Sequence, residues 1–322
     1  MKRTLTRLVA LTAAAFSLTT LAACSSDDLD YPARKIEIVV GYGAGGDNDV
    51  VARAFAAGLE EVSGANVLVV NRPGAGGILA ATESMMAAAD GYHLLLAPIS
   101  AFTTAPLMQK VHYEPEDFRT VAALAEQPFA IAVRADSPYD SLADLADATG
   151  ALTYATVGMG HASHVLMAEI LDEVGSAGRA VPFEGGGLVT QSTISGETDL
   201  AVVAANSVIE RVNSGEIKVL AVTGTQRIDA LPDVPTVHEE GFPDADYLVS
   251  QALAVPADTP EDISTRLEEL SAEAVHTETY QRFLRASNNR IPAMTGPGWM
   301  REYAPGERER IATAYDELEI LP

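Results

Sequence analysis

The sequence predicts an α/β protein with two lobes, each a mainly parallel sheet that is flanked by helices. Two observations lead to this class. Short β-branched runs alternate with segments of helical spacing along most of the chain, a pattern typical of parallel sheets that are covered on both faces. The chain also has 322 residues, which is long enough for two lobes of ordinary size.

The individual elements follow from this alternation. Strands are predicted for the runs at 36–40, 67–70, 94–96, 129–133, 152–156, 200–204, 219–222 and 247–255. Helical segments separate most of them, and the chain beyond residue 260 is predicted to be mainly helical. The fourth and the last of these strands are expected to cross between the lobes. Lobe 1 is therefore predicted to combine residues 31–130 with 252–322, and lobe 2 to comprise residues 131–251.

The composition excludes several classes of function. The chain carries 45 acidic and 21 basic side chains, which give a formal net charge of −24. Such a surface repels phosphate backbones, so no nucleic-acid partner is predicted. Cys24 is the single cysteine, which excludes an intrachain disulfide and a metal cluster built from cysteines. No cofactor is predicted.

The first 24 residues are typical of an export signal. Basic residues at positions 2, 3 and 7 precede an apolar run over 8–21 that is too short to span a bilayer. The run ends in Leu21-Ala22-Ala23-Cys24, which resembles a lipobox. We therefore predict a lipoprotein signal peptide over 1–23, lipidation of Cys24 and a tether over 24–30. The predicted location is extracytoplasmic, with anchoring to the cell membrane through the lipid; a plain secretory cleavage site is the alternative.

Three glycine-rich loops each precede a helix. The first, Gly41-x-Gly43-x-x-Gly46, spells a dinucleotide-binding fingerprint, but Asn71-Arg72 stand where that fold needs an acidic residue for the ribose. Arg72 leaves a 2′-phosphate as an alternative, against which the extracytoplasmic location argues. The N–H groups at a helix start attract any anion, including a carboxylate. With further loops at 158–161 and 185–187, the pattern favours a small anion held by backbone amides, unless these are only tight turns that need positive φ.

Candidate catalytic and metal-binding motifs are incomplete. His161-x-x-His164 puts two imidazoles on one helix face, yet the sequence nominates no third ligand for zinc, so no metal is predicted. Asp47-Asn48-Asp49 lacks the glycine and distal glutamate of a calcium loop, so Asp47 is predicted to cap its helix, as is Ser163. No G-x-S-x-G elbow occurs, and no catalytic set can be nominated. The chain is therefore not predicted to be an enzyme.

Several short motifs acquire their specificity from their order along the chain. They include Tyr31-Pro32, Gly45-Gly46-Asp47-Asn48-Asp49-Val50-Val51-Ala52-Arg53, Asn71-Arg72-Pro73-Gly74-Ala75-Gly76-Gly77, Asp90-Gly91-Tyr92, Gly158-Met159-Gly160, Pro182-Phe183-Glu184-Gly185-Gly186-Gly187 and Leu231-Pro232-Asp233-Val234-Pro235-Thr236. In this order the chain, from residue 31 to its C-terminus, resembles the extracytoplasmic solute receptors of the tripartite tricarboxylate transporter group, also called the Bug family.

This resemblance implies a two-lobed periplasmic-binding-protein fold of the type II, Venus-flytrap kind, which closes on a small organic carboxylate in the cleft between its lobes. Backbone amides and hydroxyls are implied to hold the ligand. Carried over by position, the ligand contacts would be Tyr42, Gly43, Ala44, Asn48, Ser100, Thr156, Gly158, Gly160, His161, His164 and Asn206. The implied partners are the membrane permease subunits of such a transporter, and the receptor itself is expected to be a monomer.

The departures from the family pattern concern the class of ligand. Asp47 stands where a glycine or serine is usual, and a carboxylate near the anion site favours a ligand that also carries an amine. An amino acid or another zwitterion is therefore the alternative ligand, and a secreted enzyme that uses the cleft is the alternative of another class. His161 stands where a serine is usual, so the affinity is expected to depend on pH between about 5 and 8. Glu184 stands in place of a usual lysine.

Overall fold

The computed structural model describes residues 31–183, 185–292, 296 and 298–320. The predicted signal peptide, the tether, Cys24 and Glu184 lie outside the described residues. In chain order, the strands and helices of the described part are β1 (Ile36–Val40), α1 (Asp47–Ser63), β2 (Val67–Asn71), α2 (Ile78–Met85), β3 (His93–Pro98), α3 (Thr104–Met108), β4 (Phe118–Arg134), β5 (Leu152–Thr156), α4 (Ala162–Glu173), β6 (Gly178–Pro182), α5 (Gly186–Ser195), β7 (Leu200–Ala204), α6 (Ile209–Asn213), β8 (Ile217–Val222), β9 (Leu248–Pro256), α7 (Glu261–Ala274), α8 (Glu278–Ser287) and α9 (Ala304–Glu317).

Two parallel three-stranded units form the two ends of one mixed sheet. In the first unit β1 pairs in parallel with β2 and β3, and in the second β5 pairs in parallel with β6 and β7. The strand order is β2-β1-β3-β9-β4-β7-β5-β6, with β8 also paired to β4. The central strand β9 is antiparallel to β3 and β4, and β4 is antiparallel to β7 and β8. The predicted α/β class is confirmed, and antiparallel strands join its parallel units.

The long strand β4 belongs to both lobes. Its residues 118–128 pair with β9, whereas its residues 129–134 pair with β7 and β8. The sequence predicts only this second part as a strand. The first part contains three alanines, Glu126 and Pro128, all of which have low intrinsic β-propensity. Pairing with β9 decides its conformation, because every residue of this part except Arg119 is buried in the sheet centre.

Helices cover both faces of each half of the sheet, as a core of this type requires. On lobe 1, helices α1, α7 and α8 pack on one face, where the Tyr280 ring meets Phe55 edge-on at a centroid distance of 6.0 Å. The opposite face is covered by α2 and by a π-helical turn over Trp299–Tyr303. On lobe 2, α4 and α9 cover one face and α5 covers the other.

The position of α9 differs from the predicted lobe boundaries. Ile311, Ala314 and Tyr315 pack in the core of lobe 2, so the assignment of 252–322 wholly to lobe 1 is wrong for this helix. Arg310 explains the docking, because its guanidinium donates to the carbonyl oxygens of residues 244 and 246 at 3.0 Å each and lies 3.7 Å from the centroid of the Tyr247 ring. A helical pattern in the sequence says which face is apolar and not which lobe it covers. The remainder of the predicted division stays a prediction.

Within the part of the chain that the structure describes, no helix combines the length and the apolar character that spanning a membrane requires.

Gly58 provides a test of the packing of α1. An alanine in a helix interior ordinarily stabilises the helix by about 1 kcal/mol relative to glycine. A Cβ at Gly58 would stand 2.8 Å from the carbonyl oxygen of Ala274 and 2.9 Å from the hydroxyl of Thr277. We therefore expect Gly58→Ala to lower the free energy of unfolding by about 1–3 kcal/mol, because α1 must move away from α7.

Chemical denaturation measures this change. Gly306→Ala in α9 is the matched control, because a Cβ at Gly306 meets open space. Its midpoint is expected to stay the same or rise. An equal or higher midpoint for Gly58→Ala would contradict the close approach of α1 and α7.

Candidate functional site

The predicted site loops lie where the two lobes meet, at the carboxyl ends of the parallel strands. On lobe 1, β1 leads into the glycine loop 41–46 and β3 into a turn that contains Ser100. On lobe 2, β5 leads into the loop 157–161 and β7 into a turn that contains Asn206. The loops of opposite lobes touch at the side chains of Asp47 and Asn206, whose Oδ1 and Nδ2 atoms are 3.4 Å apart.

Asp49 is a buried charge that shapes the lobe 1 loops. Its carboxylate accepts hydrogen bonds from the Gly45 N–H at 2.8 Å, the Arg53 Nε at 2.9 Å and the Asn71 Nδ2 at 3.0 Å. Burial raises the pKa of this carboxyl, but the hydrogen bonds from Arg53, Gly45 and Asn71 outweigh burial and hold the pKa below its usual value. Asn71 also donates to the Tyr42 carbonyl at 3.1 Å, so it joins the glycine loop 41–46 to the glycine-rich segment 71–77.

The side chains of Tyr42 and Arg72 complete this junction between loops. The Tyr42 hydroxyl donates to the Gly76 carbonyl at 2.7 Å and faces the Ser100 hydroxyl. Burial raises the pKa of the Tyr42 hydroxyl. Arg72, weighed above for a nucleotide phosphate, has its Nε atom 3.9 Å from a Glu83 carboxylate oxygen on the surface. The segments 41–46 and 71–77 therefore contact each other at positions that a dinucleotide-binding fold would use to hold its cofactor.

Two predicted contacts lie at the tip of the first loop. Gly43 and Ala44 are exposed there. Within the described residues, their N–H groups have no hydrogen-bond partner in the protein, as is also true of Gly158 and Met159 on lobe 2. Each lobe thus has two successive N–H groups that can donate hydrogen bonds to an anion.

Asp47 reaches with its acidic side chain from lobe 1 to Asn206 of lobe 2. It is the first residue of α1, but the N-cap residue is Gly46 and no side chain caps the helix, so the predicted capping role of Asp47 is wrong. Its carboxylate instead accepts from the Gln127 Nε2 at 3.3 Å, the Gln251 Nε2 at 2.5 Å and Asn206. Burial raises the pKa of Asp47, against the opposing effect of these three hydrogen bonds.

Histidines hold the lobe 2 loop in place. His161 is the N-cap residue of α4, and its Nδ1 accepts from the Ser163 N–H at 3.2 Å, so the predicted cap at Ser163 is wrong. The Ser163 hydroxyl instead lies 2.5 Å from the Thr156 hydroxyl. The His164 Nδ1 accepts from the Gly160 N–H at 2.9 Å. Each imidazole therefore acts as a neutral acceptor that fixes the backbone of the loop.

The ionisation of the two histidines follows from their surroundings. Burial lowers the pKa of His161 to about 4, assisted by His164, and burial alone lowers the pKa of His164 to about 4. Both imidazoles are therefore neutral between pH 5 and 8. The expectation that His161 makes the affinity pH-dependent in this range is wrong. Within the described part of the chain, no group of three or more metal-ligating side chains occurs.

The two glycines of the lobe 2 loop have different surroundings. Gly160 has φ +69°, and a Cβ there would clash with the Met108 side chain and lie 2.6 Å from the Tyr315 hydroxyl. Tyr315 donates to the Gly160 carbonyl, so α9 holds this loop in place. The nearest atom to a Cβ at Gly158 is 3.9 Å away. Gly158 has φ +156°, which also favours glycine, but Gly160 is the position where a Cβ meets both an unfavourable φ and a steric clash.

The sequence analysis missed the two glutamines that contact Asp47. Gln127 and Gln251 lie inside strands, whereas the predicted contacts were all sought in loops and at helix starts. A signal was present, since each glutamine belongs to a polar pair, Glu126-Gln127 and Ser250-Gln251, with mainly apolar residues on both sides. Their convergence on α1 depends on the pairing of β4 with β9.

Two α/β lobes joined by antiparallel strands, with glycine-rich loops at the carboxyl ends of the parallel strands where the lobes meet, are typical of periplasmic binding proteins. A family model for the tripartite tricarboxylate transporter family receptor matches residues 51–298. The chain belongs to this family, which includes the Bug receptors: protein BugT of Bordetella pertussis is 29% identical over 317 residues, which cover 96% of each chain.

Solved structures of similar proteins agree with this assignment. The structure of Rpa4515 of R. palustris with adipate has a TM-score of 0.79 and 26% identity, and the match covers 90% of this chain and 98% of that one. The structure of MatC from Rhodopseudomonas palustris with bound malate has a TM-score of 0.73 and 28% identity, and the match covers 89% of this chain and all of that one.

Gly160 tests the lobe 2 part of the site. Consider any small carboxylate that stabilises the wild-type protein. We expect Gly160→Val to bind it at least about tenfold more weakly, because valine is strained at the positive φ on which the conformation of this loop depends. Gly150→Val is the matched control, since a Cβ at Gly150 on the same lobe meets open space. Calorimetric titration of both variants measures the effect. Equal affinity of Gly160→Val and the wild type would remove this loop from the site.

The buried histidines predict an acid-sensitive lobe 2. Between pH 6.5 and 4 the unfolded chain binds protons at these histidines that the folded chain does not, so the free energy of unfolding falls as the pH decreases. For His164, which is 5% exposed, this loss is up to about 1.4 kcal/mol per pH unit. We expect His164→Gln to reduce the difference in melting temperature between pH 7 and pH 5, and the exposed His276→Gln to leave it unchanged. A difference that persists in full in His164→Gln would refute the assignment.

Proposed function

We propose that this protein is an extracytoplasmic solute receptor that captures a small organic carboxylate in the cleft between its lobes and delivers it to the membrane permease subunits of a tripartite tricarboxylate-type transporter. The observation that carries this proposal is a pair of successive N–H groups without a protein partner among the described residues in one loop of each lobe, at 43–44 after β1 and at 158–159 after β5. Such groups bind an anion without a salt bridge, which suits a chain of strongly negative net charge.

The proposed contacts are the eleven residues that the family resemblance implies, with Gln127 and Gln251 added from the structure. The relatives with bound malate and adipate support a carboxylate ligand. Delivery to a permease rests on the family, whose receptors serve transporters of this kind. We propose a monomer without a cofactor or a metal.

We also propose that Cys24 carries a lipid that anchors the receptor to the cell membrane. The support is the lipobox-like run before this cysteine and the basic and apolar segments that precede it. The short polar segment after Cys24 would then separate the folded lobes from the membrane surface.

A thermal-shift screen tests carboxylate capture. The library holds mono-, di- and tricarboxylates, aromatic acids, amino acids and neutral sugars. A ligand at 100 times its Kd adds about 2.7 kcal/mol of stability, which raises the melting temperature by roughly a few degrees in a protein of this size. We expect acids and not sugars to produce this shift. Stabilisation by sugars alone, or by no member of the library, would contradict the proposal.

The same samples separate a receptor from a secreted enzyme. We expect a stabilising acid to remain chemically unchanged after prolonged incubation with the protein, as proton NMR of the mixture would show. Conversion of the acid that depends on the protein would favour the enzyme.

A further inference from the structure

The contact between the lobes at Asp47 contains more hydrogen-bond acceptors than donors. Gln127 and Gln251 both give their amide NH₂ groups to the Asp47 carboxylate. This leaves the Oε1 atom of each glutamine without a hydrogen-bond partner in the described part of the chain. Each glutamine is only 1% exposed, so solvent does not compensate these oxygens. Orphaned buried acceptors of this kind cost free energy unless a donor arrives from elsewhere.

The two orphaned oxygens lie close to Asp47. Gln251 pairs with Ala125 across β4 and β9, and Gln127 follows Ala125 by two residues, so both glutamines lie on the same face of the sheet. The oxygen and nitrogen of one amide are about 2.3 Å apart. Since the nitrogens are 3.3 and 2.5 Å from the Asp47 carboxylate, both oxygens lie within roughly 6 Å of it. Rotating either amide would place its oxygen against the Asp47 carboxylate, and both groups are acceptors. The carboxylate therefore holds the amides in the orientation that leaves their oxygens unpaired.

The charge of Asp47 is also uncompensated. Within the described residues its hydrogen-bond partners are neutral amides, and no arginine or lysine is paired with it. Asp49, two residues along the same helix, has Arg53 as its counter-ion at 2.9 Å. A buried carboxylate is ordinarily paired or neutralised, because removing its hydration is expensive. Asp47 therefore has the surroundings of a group whose counter-ion enters from outside the protein.

We propose that Asp47, Gln127 and Gln251 form a subsite for an ammonium group, so that the solute captured by this receptor carries a cationic nitrogen as well as a carboxylate. This inference rests on the proposed function. A primary ammonium has three N–H donors and no acceptor, which matches one carboxylate and two orphaned carbonyl oxygens. The carboxylate of the same solute is left for the N–H groups of residues 43–44 and 158–159.

A purely anionic solute fits this corner of the cleft poorly. A second carboxylate placed beside Asp47 would meet a like charge in a buried site, and it would leave both glutamine oxygens unpaired. Such repulsion against the wrong ligand is a common source of specificity. Because Asp47 and Asn206 are in contact across the cleft, entry of the ammonium requires the lobes to separate first.

Matched pairs of acids with and without an amine test the proposal. The probes are glutamate and glutarate, aspartate and succinate, and 4-aminobutyrate and butyrate, titrated by calorimetry at pH 7.5. The proteins are the wild type, Asp47→Asn and Asp262→Asn. The control variant removes one exposed carboxylate from the first turn of α7 and so makes the same change in net charge. Asp47→Asn retains the size of the side chain, and rotated glutamine amides can give their oxygens to the new amide. Melting temperatures of both variants verify folding.

We expect at least one amino acid to bind the wild type and Asp262→Asn at least about tenfold more tightly than its deaminated partner. Asp47→Asn should reduce this ratio to below about threefold by weakening the amino acid. Equal or tighter binding of the deaminated acids to the wild type would overturn the inference and leave carboxylate capture intact. A ratio unchanged in Asp47→Asn would also overturn it. Binding of no acid from either series would overturn the inference, and the proposed function would fail with it if no acid of the thermal-shift library stabilises the protein either.

Discussion

The arrangement of the two lobes depends on the pairing of β4 with β9. The two strands run antiparallel through the centre of the sheet, and β4 continues from one lobe into the other without interruption. Parallel strands on either side end at the same level as this crossing, so their loops face each other there. The ladder that joins the lobes therefore also positions the site, because Gln127 and Gln251 project from it toward the start of α1.

Asp47 and Asp49, near the start of α1, are the same residue type in different surroundings and have different roles. The positive end of the helix dipole favours a carboxylate at both positions. Asp49 has an arginine, a backbone N–H and an asparagine amide, and it holds two glycine loops together. Asp47 has three amides from three different segments and no counter-ion within the described residues. A fully compensated acid is structural, whereas an uncompensated acid in a cleft is available to a ligand.

The lobe 2 loop is preorganised in a different way. The imidazoles of the buried His164 and the half-buried His161 accept backbone hydrogen bonds, and Tyr315 of the last helix donates to the Gly160 carbonyl of the loop. Because burial keeps these imidazoles neutral, they add no positive charge to the site. The loop can then offer backbone N–H dipoles to an anion without a formal charge, and preorganised dipoles lose little entropy when a ligand binds.

The sequence by itself determined the α/β class and the strands of the first parallel unit, and β1, β5 and β7 have the predicted limits, since short runs of this kind favour an extended conformation. Strand β6 of the second unit was not predicted, because its Gly178 and Pro182 have low β-propensity. The ordered motifs of the sequence also identified the family. Only the tertiary structure decided that residues 118–128 form a strand, that α9 covers lobe 2 and that Asp47 meets Gln127 and Gln251. Each of these depends on contacts between residues far apart in the chain, up to 204 positions for Asp47 and Gln251. Local propensity and periodicity describe a segment and its apolar face, and they contain no information about which distant segment that face will meet.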